Sequence, residues 1–290
     1  MKVLHISEQK DLTGSIRDIC QQRIEAITQL PVNWRAVGKS VDLSTLLQQQ
    51  QPDFIVCAVM LSVNASDDDF LQYETIIKHC IAFSEANDVP IVLLSTAEVF
   101  APGKHSYKEA DLCESDLPVA KFYLQQETLL QEKTPKHIIL RTAWLYSADE
   151  GNFLAAVIRH AAEDRLISFN SAGKGCPTSV RDVARVLMAI LLQVYNGAEA
   201  WGLYHYAASD AAIGFQFVDA IVAQASQYHA NIDARSLHFE HNDSLQSEFY
   251  FSPIVLNCQK LLNTFGIHQK PWRALLPEVV KDYFVEEVVD

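Results

Sequence analysis

Short, continuously apolar runs alternate along this chain with longer stretches in which apolar residues recur every three or four positions. The short runs are typical of buried β-strands, and the longer stretches are typical of amphipathic helices. The predicted strands are Met1–Ser7, Asn33–Val37, Phe54–Val59, Ile91–Ser95, His137–Leu140, Leu166–Phe169, Leu203–Ala207 and Leu237–His241. The predicted helices are Asp11–Gln29, Thr45–Gln51, Asp69–Asn87, Leu117–Gln131, Asn152–Asp164, Ser179–Tyr195, Phe215–Ala225, Gln259–Phe265 and Arg273–Phe284.

This alternation predicts an α/β protein with a Rossmann-like, doubly wound parallel sheet. The alternation is regular up to residue 170 and irregular beyond that point. We therefore expect a Rossmann-like domain over residues 1–170 and a smaller α/β lobe over residues 171–290. Segments of the two parts can interleave.

The net charge of the chain argues against some classes of binding partner. A net charge of −13, from 36 acidic and 23 basic residues, argues against general affinity for nucleic acid or for an anionic membrane. A small anionic ligand stays compatible with that charge, because it needs only a few local donors. The chain has no run of 18 apolar residues, and Met1 opens a strand rather than a signal peptide. These features predict a cytoplasmic protein without a transmembrane helix.

The six cysteines form no C-x-x-C pair, and none has a histidine at the spacing of a zinc site. We therefore predict neither a disulfide framework nor a structural metal site. The acidic stretch from Glu109 to Asp116 could hold a cation, but a solvated loop is the simpler interpretation.

The turn Ser7–Gly14 follows the first predicted strand, where a dinucleotide-binding fold places its glycine-rich loop. This turn has a single glycine, Gly14, and its acids Glu8 and Asp11 add negative charge where a pyrophosphate needs donors. An ordinary helix start capped by its own side chains is favoured over a working pyrophosphate site. Basic residues nearby, such as Arg35, could still attract a phosphate group.

Two predicted strands, Ile91–Ser95 and His137–Leu140, end close to residues that could contact a ligand. Thr96 follows the first of these strands, and Trp144 follows the second. In a doubly wound sheet, ligands bind at such strand ends. Trp144 could stack on a ligand ring, although a tryptophan at a strand end is often part of the core.

The order and spacing of short motifs along the whole chain resemble the dTDP-4-dehydrorhamnose reductase family (RmlD-like) of extended short-chain dehydrogenases/reductases. The motifs are MKVLHI, VDLS at Val41–Ser44, PDFIVCA at Pro52–Ala58, VPIVLLSTAEVF at Val89–Phe100, YKEAD at Tyr107–Asp111, LRTAWLY at Leu140–Tyr146, GNF at Gly151–Phe153, GCPTSVRDVA at Gly175–Ala184, GLYHYA at Gly202–Ala207, LNCQKL at Leu256–Leu261, FGI at Phe265–Ile267 and PW at Pro271–Trp272.

The resemblance implies a Rossmann domain that binds NADPH or NADH, and a C-terminal lobe that binds a sugar nucleotide. The implied reaction is the reduction of a 4-keto deoxysugar nucleotide. A Tyr-x-x-x-Lys pair serves this reaction in the family: the phenol donates a proton to the carbonyl oxygen, and the lysine lowers the phenol pKa.

This sequence departs from the family at those positions. Alignment on Glu127 places Val119 where the tyrosine belongs and Tyr123 where the lysine belongs, and no Tyr-x-x-x-Lys occurs anywhere in the chain. The family's Thr-Asp-Tyr after the fourth strand becomes Thr96-Ala97-Glu98, and an asparagine after the third strand is replaced by Cys57. The departures fall on the groups that carry the chemistry, whereas the motifs of the fold persist.

The candidate site residues follow from the matches and the departures together. The candidate catalytic residues are Thr96 and Tyr123. The candidate cofactor-binding residues are Gly14, Arg35 and Ser95. The candidate substrate-binding residues are Trp144, Asn152, Lys174 and Arg181. In the family the segment 173–182 borders the substrate phosphates, whereas a tight turn before a capped helix explains the same segment equally well.

Two hypotheses for the function remain. The first is a divergent sugar-nucleotide reductase-like protein, catalytically impaired, that acts by binding a ligand or a partner. The second is an active NAD(P)H-dependent reductase of a 4-keto deoxysugar nucleotide whose altered acid/base site recruits Tyr123, Lys121 or Glu98. We favour the first, because resemblance in fold does not carry function when the site residues are gone.

The resemblance implies NADP or NAD as the cofactor, whereas the degenerate loop argues against it. The expected ligand is a sugar nucleotide or another small anion. A protein partner and a homodimer are open alternatives, and nucleic acid, membrane and metal are not expected partners.

Overall fold

The computed structural model describes residues 1–7, 12–17, 27–169, 173–232, 239–241 and 250–287. Its strands are β1 (Lys2–Ser7), β2 (Thr28–Asn33), β3 (Phe54–Cys57), β4 (Ile91–Thr96), β5 (His137–Thr142), β6 (Leu145–Tyr146), β7 (Ile167–Phe169), β8 (Lys174–Gly175), β9 (Thr178–Ser179), β10 (Gly202–His205), β11 (Ala212–Ile213) and β12 (Phe239–His241). Its helices are α1 (residues 12–17), α2 (Leu43–Gln50), α3 (Asp67–Asn87), α4 (Pro118–Lys133), α5 (Phe153–Ala162), α6 (Val180–Tyr195), α7 (Gly214–Ala225), α8 (Gln259–Phe265) and α9 (Trp272–Glu287).

Six strands form one parallel sheet in the order β10-β5-β4-β3-β1-β2. The chain winds outward from β1 to β2 and then returns to β3 on the other side of β1. In such a sheet a ligand crevice lies beyond the carboxyl ends of the strands, at the point where the winding direction changes. The predicted Rossmann-like, doubly wound α/β fold is confirmed.

Helices cover both faces of this sheet, which explains why β3 and β4 are buried at every position. Side chains alternate along β1, so that Leu4 and Ile6 join one core layer and Val3 joins the other. The first layer packs under α2, α3 and α4, and the second packs under α1, α6 and α8. The long α3 starts in a reciprocal cap, because Ser66 and Asp69 each accept a hydrogen bond from the backbone N–H of the other.

The prediction for the second strand is wrong. The strand spans Thr28–Asn33, whereas the pattern placed it at Asn33–Val37. The side chain of Asn33 accepts the backbone N–H of Arg35 and caps a 3-10 helix over Trp34–Ala36. Trp34 is fully buried in this helix, so its apolar character does not indicate a strand. The predicted helix Asp11–Gln29 also extends too far, because Thr28 and Gln29 belong to β2.

Residues beyond 170 contribute to the main sheet. The predicted strand Leu203–Ala207 occurs as β10 at Gly202–His205, and it pairs with β5 as the sixth parallel strand. The helix α6 packs on the same sheet through Val183, Leu187 and Ile190.

A smaller core forms around α5, α7 and α9 in the C-terminal lobe. Its buried aromatic residues include Tyr146, Phe217 and Trp272. The hydroxyl of Tyr146 donates to the carbonyl of Trp272 at 2.9 Å and ties this lobe to the end of β6.

Five described cysteines are free thiols, and Cys20 lies outside the described residues. Within the described ranges, no helix has the length and apolar character needed to cross a membrane. The same ranges contain no cluster of three potential metal-ligating residues.

Candidate functional site

The carboxyl ends of β4 and β5 lie side by side, with Thr96 and Thr142 as register partners. Glu98 follows β4 by two residues, and Trp144 follows β5 by two residues. Both residues therefore lie just beyond the same edge of the sheet, which is where this fold binds ligands.

A buried ion pair supports these strand ends. Arg141 donates from Nε and Nη2 to the two carboxylate oxygens of Glu127, at 2.9 and 2.6 Å. The hydroxyl of Ser95 donates to the same carboxylate at 2.5 Å, and Ser95 is fully buried. The pairing joins α4 to the ends of two strands. A cofactor-binding role for Ser95 would require its hydroxyl to leave Glu127, and that role stays a prediction.

The phenol of Tyr123 is held inside the core. Its hydroxyl donates to the carbonyl of Val59 at 2.8 Å and accepts the backbone N–H of Leu61 at 3.0 Å. Burial raises the pKa of Tyr123 well above its ordinary value. One turn earlier on α4, Val119 is also fully buried. In this arrangement Tyr123 fixes the loop after β3, because both hydrogen bonds of its hydroxyl are with backbone groups of that loop.

Thr96 and Lys121 are engaged in local interactions. The hydroxyl of Thr96 accepts the backbone N–H of Glu98 at 3.2 Å and caps the short helix Ala97–Val99. Lys121 is exposed and pairs with Asp116 at 2.9 Å. Thr96 stays a candidate by its position at the strand end.

Glu98 is one of the acids at this edge of the sheet. It is partly exposed, and none of the described residues forms a hydrogen bond or an ion pair with its carboxyl group. Burial raises the pKa of this carboxyl to about 7. The charge of Glu98 in turn contributes to raising the pKa of two neighbouring phenols, those of Tyr123 and Tyr250, after the larger effect of burial. A large fraction of Glu98 is therefore protonated at neutral pH.

Trp144 has an unusual backbone conformation, with φ at +43° in the left-handed region. Its indole N–H donates to the carbonyl of Ser252 at 2.7 Å, and its ring lies 4.6 Å from that of Phe251. The ring also covers Gly175 so closely that a Cβ there would lie 2.2 Å from it. A strained conformation that several contacts maintain is often found at a ligand site.

The remaining substrate candidates lie on the lobe side of the same edge. Asn152 caps α5 by accepting the backbone N–H of Leu154 at 3.1 Å. Lys174 is exposed in β8. Arg181 pairs with Asp282 of α9.

Two further cofactor candidates follow β1 and β2, on the side of the sheet away from β10: Gly14 lies in α1, and Arg35 lies in the 3-10 helix after β2. Residues 8–11 of the Ser7–Gly14 turn lie outside the described residues. Among the described residues, no atom lies within 4 Å of where a Cβ at Gly14 would be. Arg35 pairs with Asp69 at 2.9 Å and lies 4.5 Å above the ring of Trp34. The topology therefore fits a dinucleotide, while the guanidinium of Arg35 already has an acidic partner.

A separate cavity of about 570 Å³ lies between the loop 37–44 and one face of α3. Its lining includes the polar side chains of Lys39, Asp42 and His79, and it does not include Glu98 or Trp144. No motif in the sequence indicated this cavity.

The sequence analysis did not identify the residues that contact the ends of β4 and β5 from distant parts of the chain. Tyr250, Phe251 and Ser252 come from the C-terminal lobe, and Ser252 is 108 residues from the tryptophan that it contacts. No motif links these positions in the sequence.

Comparison with known proteins places these features in a family. The family profile described as RmlD substrate binding domain matches residues 1–285. The dTDP-4-dehydrorhamnose reductase of Sinorhizobium fredii is 28% identical over 197 residues, which cover 63% of this chain and 63% of that protein. The dTDP-4-dehydrorhamnose reductase of Aggregatibacter actinomycetemcomitans is 30% identical over 194 residues, which cover 65% of each chain. Both matches thus span less than two thirds of the relatives' own length.

The fold is also that of a solved structure. The dTDP-4-dehydrorhamnose reductase of Bacillus anthracis in complex with NADP superposes with a TM-score of 0.77 at 19% identity. The superposition covers 97% of this chain and 99% of that one.

Proposed function

Because the chain belongs to the RmlD substrate binding domain family, we propose that it is a divergent sugar-nucleotide reductase-like protein that binds its ligand at the ends of β4 and β5. We further propose that the family's usual acid/base chemistry is impaired here. The protein then acts through the binding of a sugar nucleotide, or of a partner that responds to it.

The observation that carries this proposal is the burial of the two α4 residues that occupy the positions of the family's catalytic pair. Val119 and Tyr123 are both fully buried, and the hydroxyl of Tyr123 is committed to two backbone groups. Neither residue can donate a proton to a ligand in this arrangement. The loss of a positioned proton donor typically lowers the rate by about a hundredfold to ten-thousandfold.

The binding part of the proposal rests on Trp144. Its ring, together with Phe251, forms an aromatic wall where the strand ends meet the lobe. A flat sugar or base face can pack on such a wall. Lys174 is an exposed cation on the lobe side, and Arg181 is a second one if it leaves Asp282. We propose both as contacts of the diphosphate.

A second candidate function is an active NAD(P)H-dependent reductase of a 4-keto deoxysugar nucleotide. The specific observation in its favour is Glu98, whose carboxyl group has a pKa near 7 and lies at the strand ends. Glu98 would give its proton to the carbonyl oxygen as the carbonyl carbon accepts hydride. NADP or NAD would supply that hydride, in keeping with the NADP-bound relative of the same fold.

Titration of the purified chain separates these functions. We expect dTDP-sugars to bind and NADPH and NADH to bind weakly or not at all, with no turnover of dTDP-4-dehydrorhamnose. The variant Trp144→Ala should weaken dTDP-sugar binding by about tenfold. Trp201→Ala is the matched control, because Trp201 is also partly buried and its indole N–H donates to Glu199 at 2.9 Å.

Turnover with NADPH or NADH would show that the chain is an active reductase, which is the second candidate function, and would refute the proposed loss of acid/base chemistry. Failure of any dTDP-sugar to bind would refute both.

A further inference from the structure

The cavity of about 570 Å³ between the loop 37–44 and α3 is a second concave space in this protein. Its volume lies within the range of small-molecule binding sites, roughly 300–1,000 Å³. Its described lining residues include none of the candidates for the nucleotide site, such as Arg35, Thr96 and Trp144. The cavity is therefore separate from the strand-end site, and the proposed function does not use it.

Hydrogen bonds within the protein hold both walls of this cavity in place. The side-chain amide of Gln72 in α3 donates to the carbonyls of Trp34 and Val37, at 3.0 and 3.2 Å, and fixes the start of the loop against the helix. The carbonyl of Ala36 accepts the backbone N–H groups of residues 39–41, at 3.0 to 3.2 Å, which closes the loop into a tight turn. The cavity is thus formed before any ligand enters, and binding there requires little ordering of the protein.

Much of the cavity wall is apolar. Val37, Leu43 and Ile76 line it and are buried. Leu71 lines it as well, but its side chain is 62% exposed, so it has apolar surface that a ligand can cover. An aromatic ring suits such a surface, because it is large, flat and apolar.

Two opposite charges line the cavity from its two walls. Lys39 lies in the loop, and Asp68 lies in the first turn of α3. Among the described residues neither has an ion-pair partner, and the two do not pair with each other. The other acid of the wall, Asp42, is engaged, because its carboxylate accepts the backbone N–H and the hydroxyl of Thr45 at 3.2 and 2.7 Å. These hydrogen bonds lower the pKa of Asp42, and the nearby charge of His79 contributes a smaller part.

We infer that this cavity binds a free aromatic amino acid, whose carboxylate faces Lys39, whose ammonium group faces Asp68 and whose ring covers Leu71. A zwitterion supplies both missing charges at once, whereas an anion leaves Asp68 unpaired and a cation leaves Lys39 unpaired. An exposed ion pair contributes little to affinity, so the ring provides most of the binding and the charges provide selectivity. The inference goes beyond the proposed function and does not depend on it.

Calorimetry with the full chain at pH 7 compares three indole probes. L-Tryptophan carries both charges, tryptamine lacks the carboxylate, and indole-3-propionate lacks the ammonium group. We expect L-tryptophan to bind with a dissociation constant of about 1 mM or lower. Each of the other two probes should bind about threefold more weakly, because it loses one exposed ion pair.

Two charge variants assign the ends of the ligand. Lys39→Gln should weaken the binding of L-tryptophan and indole-3-propionate by about threefold, without weakening that of tryptamine. Asp68→Asn should weaken the binding of L-tryptophan and tryptamine by about threefold, without weakening that of indole-3-propionate. Lys78→Gln is the control, because Lys78 is exposed on α3, pairs with Glu74 at 2.7 Å and does not line the cavity.

The variant Leu71→Ala tests the contact with the ring. We expect it to weaken the binding of all three probes by about threefold to tenfold, because it removes apolar surface that the indole covers. Leu112→Ala is the matched control, since Leu112 is 75% exposed and does not line the cavity. Both leucines are exposed, so neither substitution disturbs the core.

Three results would overturn the inference. The first is that L-tryptophan fails to bind at about ten times the expected dissociation constant. The second is that the three probes bind equally well, or that Leu71→Ala and both charge variants bind as the wild type does. The third is that dTDP-glucose or NADPH displaces L-tryptophan, which would assign the cavity to the nucleotide site. Failure of dTDP-sugars to bind, with L-tryptophan bound as expected, would refute the proposed function and support the separate cavity site.

Discussion

Glu127 and Arg141 face each other in a two-point ion pair inside the protein, and each side chain is only 4% exposed. The pair joins helix α4 to the end of strand β5, and Ser95 of β4 completes it with a third hydrogen bond. The guanidinium of Arg141 also lies 5.2 Å from the ring of Phe100. The strand ends that form the candidate site therefore depend on one buried charge pair.

We expect Glu127→Gln to lower the free energy of unfolding by about 3–5 kcal/mol, because it leaves the buried charge of Arg141 without its counter-ion. Urea denaturation at pH 7 measures this loss. Glu132→Gln is the matched control, since Glu132 is exposed on the same helix. Equal stability of the two variants would show that the ion pair contributes little.

The variant Tyr123→Phe tests the role of the buried phenol. Removal of the hydroxyl leaves the carbonyl of Val59 and the N–H of Leu61 without their partner, so we expect a loss of about 1–3 kcal/mol in unfolding free energy. Tyr195→Phe, at a residue that is 52% exposed, should change little. A large fall in turnover with an unchanged unfolding midpoint would instead identify Tyr123 as a catalytic residue.

The close contact between Gly175 and Trp144 gives a steric test of the site. In Gly175→Ala the new methyl group overlaps the indole, with a Cβ 2.2 Å from a ring atom, so the indole must shift. We expect a loss of about 1–3 kcal/mol in stability and weaker binding of dTDP-glucose. Gly151→Ala is the control, because a Cβ there meets nothing within 4 Å. Unchanged binding in Gly175→Ala would remove Trp144 from the ligand site.

Two buried histidines should make the protein sensitive to acid. Burial lowers the pKa of His5 to about 4 and that of His205 to about 3. In the unfolded chain a histidine titrates near pH 6.5, so the unfolded state binds more protons below that pH and stability falls as the pH decreases toward 4. Each residue contributes a slope of about 1.4 kcal/mol per pH unit.

The variant His5→Leu isolates one of these contributions. Its unfolding free energy, measured in urea between pH 7 and pH 5, should fall less steeply than that of the wild type. His105→Leu, at an exposed position, should keep the slope of the wild type. Parallel curves for all three proteins would refute the assignment of a neutral His5.

Glu98 should affect stability in the opposite direction. Its folded pKa of about 7 lies above the value of about 4.3 in the unfolded chain. The stability gained from holding this proton is complete below about pH 4 and is lost as the pH rises through 7. Glu98→Gln cannot ionise, so we expect it to be more stable than the wild type at pH 8, by at most about 4 kcal/mol, with a smaller difference at lower pH. Thermal unfolding at several pH values measures the difference, and a constant difference from pH 4 to pH 8 would contradict it.

The sequence indicated the fold well, because local periodicity determines most of its elements. The helix predicted over Asp69–Asn87 forms as α3 at Asp67–Asn87, and Gln259–Phe265 forms as α8 with the predicted bounds. The fourth strand, predicted over Ile91–Ser95, is one residue longer. The second strand was misplaced because the fully buried Trp34 lies in a capped 3-10 helix rather than in a strand.

The site was only partly accessible from sequence. The apolar pattern predicted that Thr96 and Trp144 lie at strand ends. It cannot predict the direction in which either side chain points. Tyr123 was a candidate by residue type, and the structure places its hydroxyl on two backbone groups in the core. The partners of Trp144 in the C-terminal lobe depend on a contact across 108 residues, which no local pattern encodes.

The position of β10 has a consequence for dissecting this chain into fragments. This strand comes from beyond residue 200, yet it covers one side of β5 in the main sheet, and α6 covers the apolar face beside it. A fragment ending near residue 170 would expose an unpaired row of backbone groups along β5 next to an uncovered apolar surface. Such edges recruit strands from other molecules. We therefore expect residues 1–170 to fold poorly on their own and to be prone to aggregation during synthesis, until the ribosome has released β10 and α6.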